Sequence, residues 1–129
     1  MTDLPTLESW IGKIGFDATT VDASTRRLRP RAPGTPTLPP FYVQWTPNWV
    51  VLSMLPVIAP GEYRAEDLSR RLLAANRDMR LAKFALDSRR AVVLSVELPT
   101  ESLDFSEVEH AIERMVQYVR RFRAELVGD

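Results

Sequence analysis

Cysteine is absent from the 129 residues, histidine occurs once, lysine twice and glycine five times. The missing thiols exclude disulfides, thiolate nucleophiles, iron–sulfur clusters and cysteine-ligated zinc. So little glycine excludes a phosphate-cradling loop, and Gly12 with Gly15 has neither the preceding strand nor the spacing of a nucleotide fingerprint. A charge of one sign is missing as well: 17 basic residues balance 17 acidic ones, which removes the global field that would draw in nucleic acid or an anionic membrane. The longest apolar run, residues 49–59, is too short to span a bilayer. The N-terminus lacks the basic and apolar regions of a signal peptide. These absences predict a cytoplasmic chain that works without cofactor, metal or membrane. With 45% hydrophobic residues, residues 1–129 are expected to form one domain that buries about two thirds of its unfolded surface.

What is present reads as alternating helix and hairpin. Leu7, Trp10, Ile11 and Ile14 fall at helical spacing, with Asp3 or Thr6 as N-cap and Gly15 as stop; Trp10 belongs to the apolar stripe and is read as a core anchor. From Phe16 to Pro40 the periodicity fades, and Pro30, Pro33, Pro36, Pro39 and Pro40 predict an Arg/Pro-rich loop over about residues 26–40. Within it, residues 24–28 could form an edge strand that puts Arg27 and Arg29 on one face, extended by Arg31. Ala65, Leu68, Leu72, Ala75 and Met79 mark a second helix from about Arg64 to about Asn76 or slightly beyond, with Asn76 suited to a left-handed cap. The last helix starts at Asp104, where Glu107 completes a capping box, and carries Val108, Ala111, Ile112, Met115, Val119, Phe122 and Leu126 on one stripe.

Two hairpins lie between these helices. Residues 41–45 and 49–55 are aromatic and β-branched and are separated by Thr46-Pro47-Asn48, a three-residue loop. That loop sets Trp45 opposite Trp49 and Val43 opposite Val51. Phe41, Val43, Trp45, Trp49, Val51 and Leu55 then share one face, and Tyr42, Val50, Leu52 and Met54 the other. Both faces are apolar, and helices can cover only one. Four large side chains left wet on the other would forgo roughly 6–12 kcal/mol of burial, so a second body is expected there: a second copy of the chain, an apolar partner segment, or the loop at residues 35–40. The second hairpin places Ala82, Phe84 and Leu86 with Val92, Leu94, Val96 and Leu98 on its buried side.

Catalytic signatures do not accompany this architecture. His110 projects with Glu113, Gln117 and Arg121, away from the apolar stripe, without partners at metal-ligand spacing. The carboxylates gather at Glu62, Glu66 and Asp67 and at Glu101, Asp104, Glu107 and Glu109, two helix starts where the dipole favours them. The one dense basic run is Arg26, Arg27, Arg29 and Arg31. It reads either as a solvated loop or as an anionic contact in which guanidinium forks meet phosphate or carboxylate. Tyr42, Trp45 and Trp49 could add base stacking to the phosphate version.

From Trp45 to Leu126 the order of residues resembles the YbjN family, which shares its fold with type III secretion chaperones. The resemblance rests on Trp45 with Asn48-Trp49-Val50-Val51-Leu52, on Leu72-Leu73-Ala74-Ala75-Asn76, on Lys83-Phe84-Ala85-Leu86-Asp87, on Val92-Val93-Leu94-Ser95-Val96-Glu97-Leu98-Pro99, and on the closing amphipathic helix. It implies a bacterial α+β domain, with helices packed on an antiparallel sheet of about five strands, in the order helix, hairpin strands, helix, hairpin, helix. It further implies a homodimer that holds or regulates a client protein without enzymatic chemistry, as a chaperone or a stress regulator. Tyr42, Val43, Trp45, Trp49 and Val51 are the expected partner or dimer contacts. The alternative is a protein that binds single-stranded nucleic acid through Arg26, Arg27, Arg29 and Arg31 and the hairpin aromatics.

Overall fold

The structure, a computed structural model, describes residues 1–34, 37–64 and 66–127. Its elements run α1 (Leu4–Ile14), β1 (Phe16–Thr20), β2 (Thr25–Pro30), β3 (Phe41–Trp45), β4 (Trp49–Ile58), α2 (Leu68–Asp78), β5 (Lys83–Leu86), β6 (Val92–Pro99) and α3 (Phe105–Val127). The strands form one six-stranded sheet in the order β1-β2-β3-β4-β6-β5, antiparallel at every pairing. All three helices pack on one face, where their apolar stripes share a core with the inward residues of the strands. The fold is α+β with helices on an antiparallel sheet, as expected, with six strands in place of five.

The helix ends follow local chemistry. Asp3 accepts the Thr6 amide at 2.9 Å to cap α1, and Gly15 closes it in the left-handed region at φ 115°, where a side chain would be strained. Asp104 accepts the Glu107 amide at 2.9 Å at the start of α3, whose predicted stripe from Val108 to Leu126 is buried. α2 begins at Leu68, later than expected; Ala65 lies outside the described residues. Asn76 is not the cap, since α2 continues to Asp78 and Met79 follows it in extended conformation. The Asn76 side chain instead accepts the Phe84 amide at 2.7 Å and donates to the Phe84 carbonyl at 3.0 Å, binding the outer edge of β5 to the helix. Arg71 ties the approach to α2 to the end of α3 by donating to the carbonyls of Arg64, Glu66, Glu125 and Leu126.

Between Phe16 and Pro30, where the periodicity fades, the chain forms a hairpin, β1 paired with β2; the strand expected at residues 24–28 is β2, which takes up the first part of the expected loop. Phe16, Ala18, Leu28 and Pro30 are the apolar residues that point inward, with Arg26 among them, too few for an alternation to show in the sequence. β2 is interior, between β1 and β3, so the irregular part of the Arg/Pro segment begins at Arg31. Within that segment, residues 35 and 36 lie outside the described residues, while Leu38 packs against the core.

The first long hairpin is one residue out of the expected register. Trp45 pairs with Val50, Val43 with Leu52 and Phe41 with Met54. The cause is Thr46, whose amide donates to the Trp49 carbonyl at 2.8 Å and whose hydroxyl accepts the Trp49 amide at 3.1 Å. Thr46 thereby joins the ladder and leaves a two-residue turn, Pro47-Asn48. A one-residue slip turns every side chain of one strand to the opposite face. Phe41 and Val43 are therefore buried with Val50, Leu52 and Met54. Trp45, also on this side, is held by its indole N–H on the Thr2 carbonyl at 2.9 Å.

Candidate functional site

The corrected register divides the expected contact residues. Val43 is fully buried, so it is not offered to a partner, while Trp45 is half-buried and packs against the core. Tyr42, Trp49 and Val51 lie on the outer face of the sheet, with Gln44, Ser53 and Leu55. That face is half polar, which corrects the expectation of a hairpin apolar on both sides. Trp49 keeps 46% and Leu55 38% of their surface exposed. Val21, Thr25, Tyr42, Gln44, Ser53 and Leu55 surround a shallow hollow of about 300 Å³ on it. Sequence periodicity sets Leu55 on one face with Trp49 and Val51, as found, and misses Val21 as a surface feature because it sits in the turn between β1 and β2.

The four arginines are divided too. Arg26 pairs with Val43 in the register and so points inward, where its Nε meets Glu8 of α1 at 3.4 Å. Arg31 follows β2 in the same register, its amide on the Gly15 carbonyl at 2.9 Å, but its guanidinium is already engaged. Its Nε lies 2.9 Å from Asp17, and its other nitrogens donate to the carbonyls of Gly12, in the last turn of α1, and of Phe16, the first residue of β1, at 3.2 Å. Arg27 and Arg29 do share the outer face. Arg27 lies over the Tyr42 ring, 5.2 Å from its centroid, and donates to the Tyr42 hydroxyl at 3.3 Å.

A second concavity, of about 390 Å³, opens where α1 hands over to β1. Ile14, Phe16, Leu38, Ile112 and Val116 supply apolar walls, and Glu109, Glu113 and Arg120 of α3 stand around them. Its size and lining suit one or two apolar side chains of another molecule. Neither the chain order nor helical spacing discloses it, because its walls come from α1, β1, the loop after β2 and α3. His110 is exposed beside Glu113, Arg114 and Gln117. Among the described residues no group of three or more His, Cys, Asp or Glu could hold a metal ion, and no helix is long and apolar enough to cross a membrane.

The CesT_Tir_1 family matches residues 6–128 of the chain. No curated protein sequence matches it. Among solved structures, the chain is similar to YbjN, a proposed transcription regulator from E. coli, at TM-score 0.70 and 16% identity, covering 96% of this chain and 93% of that one. It is similar to a chain of the heterodimeric ExoU–SpcU complex from the type III secretion system of Pseudomonas aeruginosa, at TM-score 0.61 and 18% identity over 94% of each chain. A third likeness is to a chain of the HopA1–SchA chaperone–effector complex, at TM-score 0.63 and 12% identity, covering 96% of this chain and 99% of that one.

Proposed function

From the premise that this chain belongs to the CesT_Tir_1 family of type III secretion chaperones, we propose that it binds a client protein and works without chemistry of its own. The observation that carries this reading is the match of that family across residues 6–128, nearly the whole sequence. The client class is an effector-like protein, by likeness to folds solved in chaperone–effector and secretion-system complexes. The geometry supports it with two surfaces that the described residues leave uncovered: the apolar cleft at Ile14, Phe16 and Val116, and the half-polar outer sheet face at Tyr42, Trp49 and Val51. In this reading the protein acts in the cytoplasm as a homodimer, keeping its client available or regulating it.

The test combines assembly and capture. Light scattering at micromolar concentration is expected to give a mass near twice the 14.7 kDa of one chain. The tagged full chain in its native host is expected to retain one client. Trp49→Ala with Val51→Asp should lower the recovered client about tenfold, with the melting temperature little changed. A monomer whose capture is insensitive to those substitutions and to Val116→Glu in the cleft would overturn the reading.

A further inference from the structure

Two arginines on the outer face are left without a carboxylate. Arg27 and Arg29 are alternate residues of β2, so their side chains leave the sheet on the same side. Asp17, the cross-strand neighbour of Arg29, is engaged by Arg31, and Glu8 is engaged by Arg26 on the opposite face. Among the described residues, neither Arg27 nor Arg29 has a salt bridge. Each makes one long hydrogen bond to a neutral hydroxyl, Arg27 to Tyr42 at 3.3 Å and Arg29 to Thr19 at 3.4 Å. Arg27 Nε is buried with no acceptor. A buried donor without a partner and two like charges on one face are both unfavourable, and one anion between the guanidinium groups would relieve the charge and offer the Arg27 fork an acceptor.

The space for that anion exists. Arg27 and Arg29 line a hollow of about 250 Å³ between β2 and the loop at residues 37–39. Tyr42, which carries the Arg27 guanidinium on its ring, also lines the neighbouring hollow with Leu55. We propose that the two hollows form a composite site for an extended client segment bearing a carboxylate side chain close to an apolar one. The carboxylate sits at Arg27 and Arg29, and the apolar side chain sits against Tyr42 and Leu55. This inference rests on the client-binding reading above and adds the chemistry of the segment bound.

A protein carboxylate fits better than a nucleic-acid phosphate. Two forks lack a carboxylate, and the other two arginines of the run are already paired with Glu8 and Asp17. The chain has no net positive charge to gather a polyanion.

The test is selection of phage-displayed random linear dodecapeptides on the immobilised full chain. Enriched peptides are expected to carry Asp or Glu within about three residues of a large apolar side chain. A synthetic copy of one should bind about tenfold more weakly to Arg27→Gln or Arg29→Gln, and similarly when its own acid is replaced by the amide. Added salt should weaken it as well. Arg29 is exposed and bonded only to Thr19, so Arg29→Gln keeps the test open should Arg27→Gln unfold the chain. Enrichment of apolar peptides without acids, or unchanged binding by Arg29→Gln, overturns this inference while leaving client binding intact. If neither peptides nor a host client are recovered, the client reading fails with it. Arginine-dependent binding of oligo(dT) in fluorescence anisotropy, or loss of dimer mass in Arg29→Gln, would assign the pair to phosphate or to a second copy and overturn it too.

Discussion

Asp104 shows how much a single side chain contributes. Its carboxylate accepts the Glu107 amide and the Ser106 hydroxyl, each at 2.9 Å, and these bonds, the Glu107 amide foremost, hold its pKa below the ordinary aspartate value. Asp3 is lowered in the same way by its bonds from Thr6. A carboxyl depressed in the folded chain contributes stability that is present above its unfolded pKa and lost as pH falls through the folded one. Melting temperatures should therefore fall between about pH 5 and about pH 2. Asp104→Asn, which can still accept the amide but does not ionise there, is expected to show a smaller acid-side fall than the parent in parallel thermal scans. This cap was legible in the sequence because its donor and acceptor lie three residues apart. The inward turn of Arg26 was not, because Glu8 belongs to another element.

At the scale of elements, the second hairpin depends on a helix it does not touch in sequence. Phe84 pairs with Leu94 in the sheet, and its own amide and carbonyl are taken by the Asn76 side chain. The amide group stands in for one residue of a further strand and closes part of the β5 edge. Asn76→Ala would leave both backbone groups without their partner. It is expected to cost about 1–3 kcal/mol in urea titrations and to speed hydrogen exchange at the Phe84 amide. A helix stop at Asn76 would instead fray the end of α2 and leave that amide protected. Asn near a helix end is a common stop, which explains the cap expected there; that its side chain reaches β5 depends on how α2 lies on the sheet.

For the molecule as a whole, the two-layer arrangement makes neighbouring residues of β4 unequal. Leu52 is fully buried beneath the helices, whereas Val51 faces outward between Gln44 and Glu97. Leu52→Ala should cost about 2–5 kcal/mol and Val51→Ala about 1 kcal/mol or less, read from denaturant midpoints of the full chain. The register expected from a three-residue loop would exchange the two. The same arrangement decides the surface: with every helix on one face, the other is left to Tyr42, Trp49, Val51 and the Arg27–Arg29 pair, and any partner of the sheet meets that mixture.

The sequence by itself determined the elements whose signals are local: α1 and α3 with their caps, the pairing of Phe84 and Leu86 with β6, and the identity of the family through packing residues from Trp45 to Leu126. Helical spacing, capping and strand alternation act over a few residues, so they survive in a linear reading. Only the tertiary structure decided the first hairpin's register, the strand β1 and the interior place of β2, and which arginines lack a carboxylate. Each of these turns on a partner distant in the chain or on one added rung. Thr46 bonds back to Trp49, polar β2 finds β1 and β3 on either side, and Glu8 and Asp17 withdraw Arg26 and Arg31. One-residue choices of this kind are settled by burial on the helices, because the pleat turns a slip of one into a change of face.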